Sequence, residues 1–296
     1  MTLFDAVSLV ALSAIWGASF MFMRYLAPRI GPVATADARI LIAGLVLVAA
    51  FALLRFDLKW RARWRRYLVI GLLNSGLPFL LYSFAALSLP ASVEVVLNAL
   101  SPSFAAIFGA LWLGERMSMR KAGGIALGFA GVVVVSGLWK GGSARASIPA
   151  LLACVAATAC YGLAGVYLKR RAKDIEPKAI AAASQLLAGL LIAPAVLAAP
   201  PREVPSGATI AIAVVFALLC SALAYLIYYR LIASVGPTKT LTVTFLMPVF
   251  GLAWGALFLG ESVTVAMLVG AAVILGGTYL VTAREGGSSS RGAAGK

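Results

Sequence analysis

The sequence predicts an all-α integral membrane protein. Ten transmembrane helices are expected, as two inverted five-helix repeats. Three observations point there. The 296 residues are 62% hydrophobic and 12% charged, with a mean hydropathy of +0.99. A soluble domain carries roughly 25% charged residues, so lipid is the solvent that suits this surface. The apolar residues come in runs of about 20, the length a helix needs to cross a bilayer. The chain also repeats itself: Pro102–Glu115, PSFAAIFGALWLGE, has a twin 146 residues later in Pro248–Glu261, PVFGLAWGALFLGE. Laying Leu72–Gly131 on Leu218–Gly277 without gaps gives 19 identities in 60 positions, the self-similarity of a duplicated unit.

Taken in order, the spans are expected near 5–25, 33–54, 66–87, 91–113, 120–138, 148–168, 178–199, 208–232, 237–259 and 264–283. The first lacks a basic leader and has Asp5 as its first charge, so it reads as a span rather than a cleaved signal. Pro28 and Gly31–Pro32 separate spans 1 and 2, Pro90 separates 3 and 4, and Gly141–Gly142 separates 5 and 6. Pro177, Pro200–Pro201 and Gly236–Pro237 mark the later turns. Gly114 and Gly260 stop spans 4 and 9, and Glu115 and Glu261 then precede the N-terminus of the next helix, where a negative charge is favoured. Gly123–Gly124, Gly128 and Gly131 in span 5, with Gly270 and Gly276–Gly277 in span 10, make small-residue faces for close helix contact.

With the N-terminus cytoplasmic, the inner loops and tail carry 19 Lys and Arg and the outer loops five. That bias places both termini inside. Five helices per unit then insert the second unit upside down, the inverted arrangement of secondary transporters. The divisions are 1–139, 140–284 and a Gly/Ser-rich, disordered cytoplasmic tail at 285–296. Trp60 and Trp64 read as inner-interface anchors and Trp139 as an outer one.

The repeats, Trp-Gly-x-x-Phe in span 1 (Trp16, Gly17, Phe20), Arg39 early in span 2, and Leu-x-Leu-Gly-Glu ending spans 4 and 9 resemble the drug/metabolite transporter superfamily, EamA type. The resemblance covers about Asp5 to Thr282 and is nearest to the YddG-type exporters of aromatic and other amino acids. It implies a basket of helices around a central cavity, alternating access, export of small-molecule solutes, and a place in the bacterial inner membrane. One departure is Tyr161 in span 6 where span 1 has Trp16.

The candidate substrate-binding residues are Trp16, Asn74, Tyr82, Asn98, Ser101, Tyr161, Gln185 and Tyr228, from the deep aromatics and the mid-membrane polar set. Polar groups at that depth face the bundle interior, and a deep tyrosine needs a partner for its hydroxyl. Ser75, Thr158 and Ser221 read instead as bonded to their own helices, and Trp254 as facing lipid. Pro78, Pro102 and Pro248 are candidate kinks or gates, since each frees the carbonyl four residues earlier: Asn74, Asn98 and Thr244.

Other classes are excluded by what the chain lacks. The net charge of +15 sits in short loops, as membrane topology requires, and does not point to nucleic acid. There is no histidine, hence no His-Glu-x-x-His metalloprotease, and no metal or cofactor is expected. Cys154, Cys160 and Cys220 fall in apolar runs as small core residues. Facing mid-membrane carboxylates and a mid-membrane lysine are both missing, so aspartyl and Ser–Lys chemistry have no partners. A sugar-phosphate or nucleotide-sugar carrier would set Lys or Arg deep in the cavity. The deep set is read as neutral and aromatic, which favours amino acids. With Asp37 and Glu94 both near the outer end, no carboxylate sits at the midplane, and the expectation is a facilitator without proton coupling, working as a monomer.

Overall fold

The structure, a computed structural model, describes residues 1–137, 148–201, 204–240 and 242–283. Ten described helices are long and apolar enough to cross a membrane: α1 Leu3–Ile30, α2 Pro32–Leu53, α3 Trp60–Ala85, α4 Ala91–Leu113, α5 Met119–Ser136, α6 Ile148–Arg171, α7 Pro177–Ala198, α8 Gly207–Val235, α9 Thr242–Leu259 and α10 Val265–Thr282. The expected Trp139 anchor, the 139/140 division and the 285–296 tail lie outside the described residues.

Most boundaries fall close to expectation, and four differ. Span 1, expected to stop near 25 before Pro28, runs on to Ile30 with Pro28 inside it, and only Gly31 ends it. The basic stretch Arg61–Arg66 forms the opening turns of α3 rather than a loop, and α6 runs on through Lys169–Arg171. Lys and Arg are good helix formers, and their long stems carry the charge out to water. Before α9, Pro237–Thr240 makes a separate short turn. Two helices widen: α3 has a π-helical stretch at Leu72–Gly76 and α8 one at Leu218–Leu223. As Pro102 demands, α4 breaks into Ala91–Asn98 and Ser101–Leu113.

Helix ends follow local chemistry. Thr2 Oγ1 accepts the Asp5 N–H at 3.2 Å while Asp5 Oδ2 accepts the Thr2 N–H at 2.9 Å, a capping box that starts α1. Gly114 and Gly260 both take φ +66°, which lets the chain fold back. The Glu115 N–H then reaches Gly109 O at 3.2 Å, and the Glu261 N–H reaches Gly255 O at 3.0 Å.

The principal lateral contacts pair α5 with α10, α2 with α7, α3 with α6, α4 with α6, and α1 with α9. Close approach depends on glycine. A Cβ on Gly17 of α1 would lie 3.0 Å from Gly251 N of α9, and one on Gly162 of α6 would lie 2.7 Å from Ala105 N of α4. Gly124 of α5 faces the Gly277 carbonyl of α10 with no room for a methyl group between them. Trp254, expected to face lipid, instead donates its Nε1–H to Ala14 O at 2.9 Å and pins α9 to α1. At the end of the bundle bearing the α3 and α6 arginines, Arg66 donates to Asp174 Oδ1 at 2.7 Å and holds that carboxyl below the usual Asp range.

Candidate functional site

The helices enclose a cavity of about 480 Å³, within the range of small-molecule sites. Trp16, Asn74, Tyr82, Asn98, Ser101, Tyr161 and Tyr228 all line it, and so does Pro102. These residues come from α1, α3, α4, α6 and α8, and α9 adds Thr244 and Met247. Neither Pro78 nor Pro248 reaches the cavity wall: Pro78 follows the wide turn of α3, and Pro248 is buried inside α9.

Gln185 is the exception among the expected binding residues. It is 1% exposed, donates to Ala181 O of its own helix at 3.2 Å, and does not line the cavity. The cause is the α2–α7 contact, where the backbone of Gln185 and Leu186 lies directly under Gly44 and turns that face of α7 away from the cavity.

The wall is aromatic with polar points between the rings. Trp16 meets Tyr228 at 5.3 Å between ring centroids and Tyr225 at 6.1 Å. Tyr82 meets Phe20 edge-on at 5.1 Å and stacks on Tyr161 at 6.4 Å. The Tyr82 hydroxyl donates to Asn98 Oδ1 at 3.0 Å, and Asn74 Nδ2 donates to the Tyr225 hydroxyl at 3.1 Å. The hydroxyl of Ser101 donates to Asn98 O at 2.7 Å, so the carbonyl freed by Pro102 is answered locally. Thr158 bonds its own helix at Val155 O, as expected, but Ser75 and Ser221 do not.

Ser221 serves Arg39, which comes early in α2 and is absent from the expected binding set. Arg39 is 4% exposed and lies on the cavity wall. Its Nε–H donates to Ser221 Oγ at 2.9 Å, and Nη2 donates to Ser19 Oγ at 3.3 Å and to Cys220 O at 3.2 Å. The guanidinium lies over the Phe79 ring at 3.6 Å and near Phe216 at 4.8 Å. Among the described residues no carboxylate comes within ion-pair distance of it, Asp37 included. Ring faces and neutral oxygens therefore hold the cation. A lone arginine inside a span is itself a signal of function, and it was there to be read.

The carboxylates divide by place. Glu94 is 0% exposed, neither of its oxygens has a partner among the described residues, and it is not on the cavity wall. Glu115 stands at the cavity rim and pairs with Lys169 Nζ at 3.1 Å. Glu261 does not serve the next helix, as expected, but reaches across to the start of α4.

A cavity with polar points between aromatic rings, held within a bundle of membrane-spanning helices, defines a membrane transporter of small solutes. The chain belongs to the EamA-like transporter family, whose sequence model matches residues 5–137 and 148–283. It is 29% identical over 286 residues to the uncharacterized transporter YvbV of Bacillus subtilis (strain 168), covering 95% of this chain and 92% of that one. It is 26% identical over 270 residues to the protein PecM of Dickeya dadantii (strain 3937), covering 90% and 88%. A solved crystal structure matches its fold with a TM-score of 0.65 at 20% identity, over 93% of this chain and 96% of the other.

Proposed function

We propose that the chain exports amino acids, aromatic ones among them, from the cell by alternating access, down the solute's own gradient. The observation that carries this reading is Arg39. Of its five N–H donors, Nε and Nη2 are engaged with Ser221, Ser19 and Cys220, whereas Nη1 has no partner among the described residues. Arg39 overturns the expectation of a neutral cavity and removes with it the ground for excluding a phosphate cargo. A single unopposed guanidinium among aromatic rings suits a solute with one carboxylate and an apolar or aromatic body, with a phosphate cargo as the other outcome of the test. Among the described residues of the wall the one carboxylate is Glu115, at the rim and paired, which supports transport without proton coupling.

The remaining parts of the reading rest on the sequence. The Lys and Arg bias supports both termini being cytoplasmic, and the family match supports a place in the inner membrane. The 146-residue self-match, together with the two separate family matches, supports two inverted repeats. The test is counterflow in liposomes holding the purified chain, run with an amino-acid panel and the matching α-amides. Amino acids should exchange and their amides should not. Exchange of amides at equal rates, or of sugar phosphates in place of amino acids, would sink the reading.

A further inference from the structure

The two copies of Leu-x-Leu-Gly-Glu end on carboxylates that do different work. At the end of α9, Glu261 reaches the start of α4: Oε1 accepts the Ala91 N–H at 2.7 Å, and Oε2 accepts the Ser92 N–H at 3.0 Å and the Ser92 hydroxyl at 2.6 Å. The first N–H groups of a helix have no partner within it, and the end that carries them is positive. Glu261 satisfies both needs at once and bolts α9 to α4. Glu115, its sequence twin, makes no such bond. Its side chain is 39% exposed and turns to Lys169 of α6.

The cavity is asymmetric in the same sense. It runs out to Glu115, Lys169 and Thr282, all exposed, and does not reach Ala91, Ser92 or Glu261. The bundle is open where the Glu is free of a helix start and shut where the Glu holds one. We infer that Glu261 and the start of α4 form the latch that shuts the cavity on that side, made in this state and broken in the other state of the cycle. The inference rests on the alternating-access reading above. It also predicts an imbalance. In sequence, Pro237 and Thr238 stand 146 residues on from Ala91 and Ser92. Proline has no N–H to give, so a latch made there by Glu115 would have one donor fewer. The state shut at Glu261 is then the preferred one at rest.

The test places one reporter, Ala106→Cys, on the cavity wall of a chain whose Cys154, Cys160 and Cys220 are replaced by alanine. A membrane-impermeant maleimide is applied from the Glu261 side of oriented liposomes. Labelling should be slow with the latch intact, and at least fivefold faster with Glu261→Gln or Ser92→Ala. Ser92→Ala removes a single hydroxyl donor and decides the matter if the other variant folds poorly. Should both variants label at the parent rate while solute still drives labelling from both sides, the latch is wrong and alternating access stands. If solute flux proceeds with no labelling from the Glu261 side in any variant, both are wrong.

Discussion

Gly44 of α2 and Gly189 of α7 make the same contact in exchange. A Cβ on Gly44 would lie 2.5 Å from Leu186 N, and one on Gly189 would lie 2.9 Å from Leu41 Cα. The four residues pair off at one offset of 145 in sequence, Gly44 with Gly189 and Leu41 with Leu186. Each glycine thus sits on the backbone of the other's neighbour. Backbone cannot swing aside as a side chain can, so a methyl group at either place must push the helices apart. Gly44→Ala and Gly189→Ala should each destabilise the protein by about 1–3 kcal/mol, the usual cost of overpacking. Thermal melting in detergent measures this, and an unchanged midpoint for both would mean that the contact is slack.

The Tyr82–Asn98 bond joins α3 to α4 on the cavity wall. Tyr82→Phe removes the donor and keeps the ring, and Asn98→Ala removes the acceptor. The bond itself is worth about 1 kcal/mol, so melting should move by a few degrees at most. Exchange in liposomes should fall at least tenfold in Asn98→Ala. Flux that declines only in step with stability would assign these residues to packing.

The two proposed inverted units can be read from outside by chemistry. Ser88 follows α3 and Ser234 lies in the last turn of α8, 146 residues apart and both exposed. Ser234 Oγ donates to Asp5 Oδ1 at 3.0 Å, which sets it at the N-terminal end of α1. In cells, Ser88→Cys should react with an impermeant maleimide and Ser234→Cys should react only after permeabilisation. Reaction of both from one face would end the inverted arrangement.

Glu94 gives the energetics a direct trial. Its carboxyl is fully buried in the first segment of α4 and off the cavity wall. With no solute gradient, an imposed pH gradient should drive no accumulation, and Glu94→Gln should exchange solute as the parent does. Accumulation that a protonophore abolishes and Glu94→Gln lacks would make this buried acid the coupling group.

Much of this was legible in the sequence because a bilayer imposes it. Span length, the break at Pro102 and the depth of Trp16, Tyr82 and Tyr161 follow from local composition. What failed was anything that depends on which way a helix turns. Gln185 has the right depth, but the glycine contact between α2 and α7 turns it from the cavity. Arg39 was judged by its nearness to the start of α2. Its place on the wall depends on Ser221 and Cys220, presented by the wide turn of α8, and on Phe79 from α3. Glu261 was read against the next helix in the chain, whereas its partner starts 170 residues earlier at Ala91.

The two wide turns carry a consequence for descent. They begin at Leu72 and Leu218, 146 residues apart, the same offset that aligns the prolines and the Leu-x-Leu-Gly-Glu blocks. A π turn closes over one residue more than an α turn, so each is the footprint of a single added residue. If the halves descend from one unit, an addition made once, before the gene doubled, explains both footprints. Two later additions at matching places would be needed otherwise. On that order of events the ancestor was a five-helix chain already bent to shape a cavity, and it had to meet a second copy of itself to close one. On the same order of events, only one half carries the arginine: the place 145 residues on is Ser184, and the second half supplies Ser221 and Cys220 to hold it.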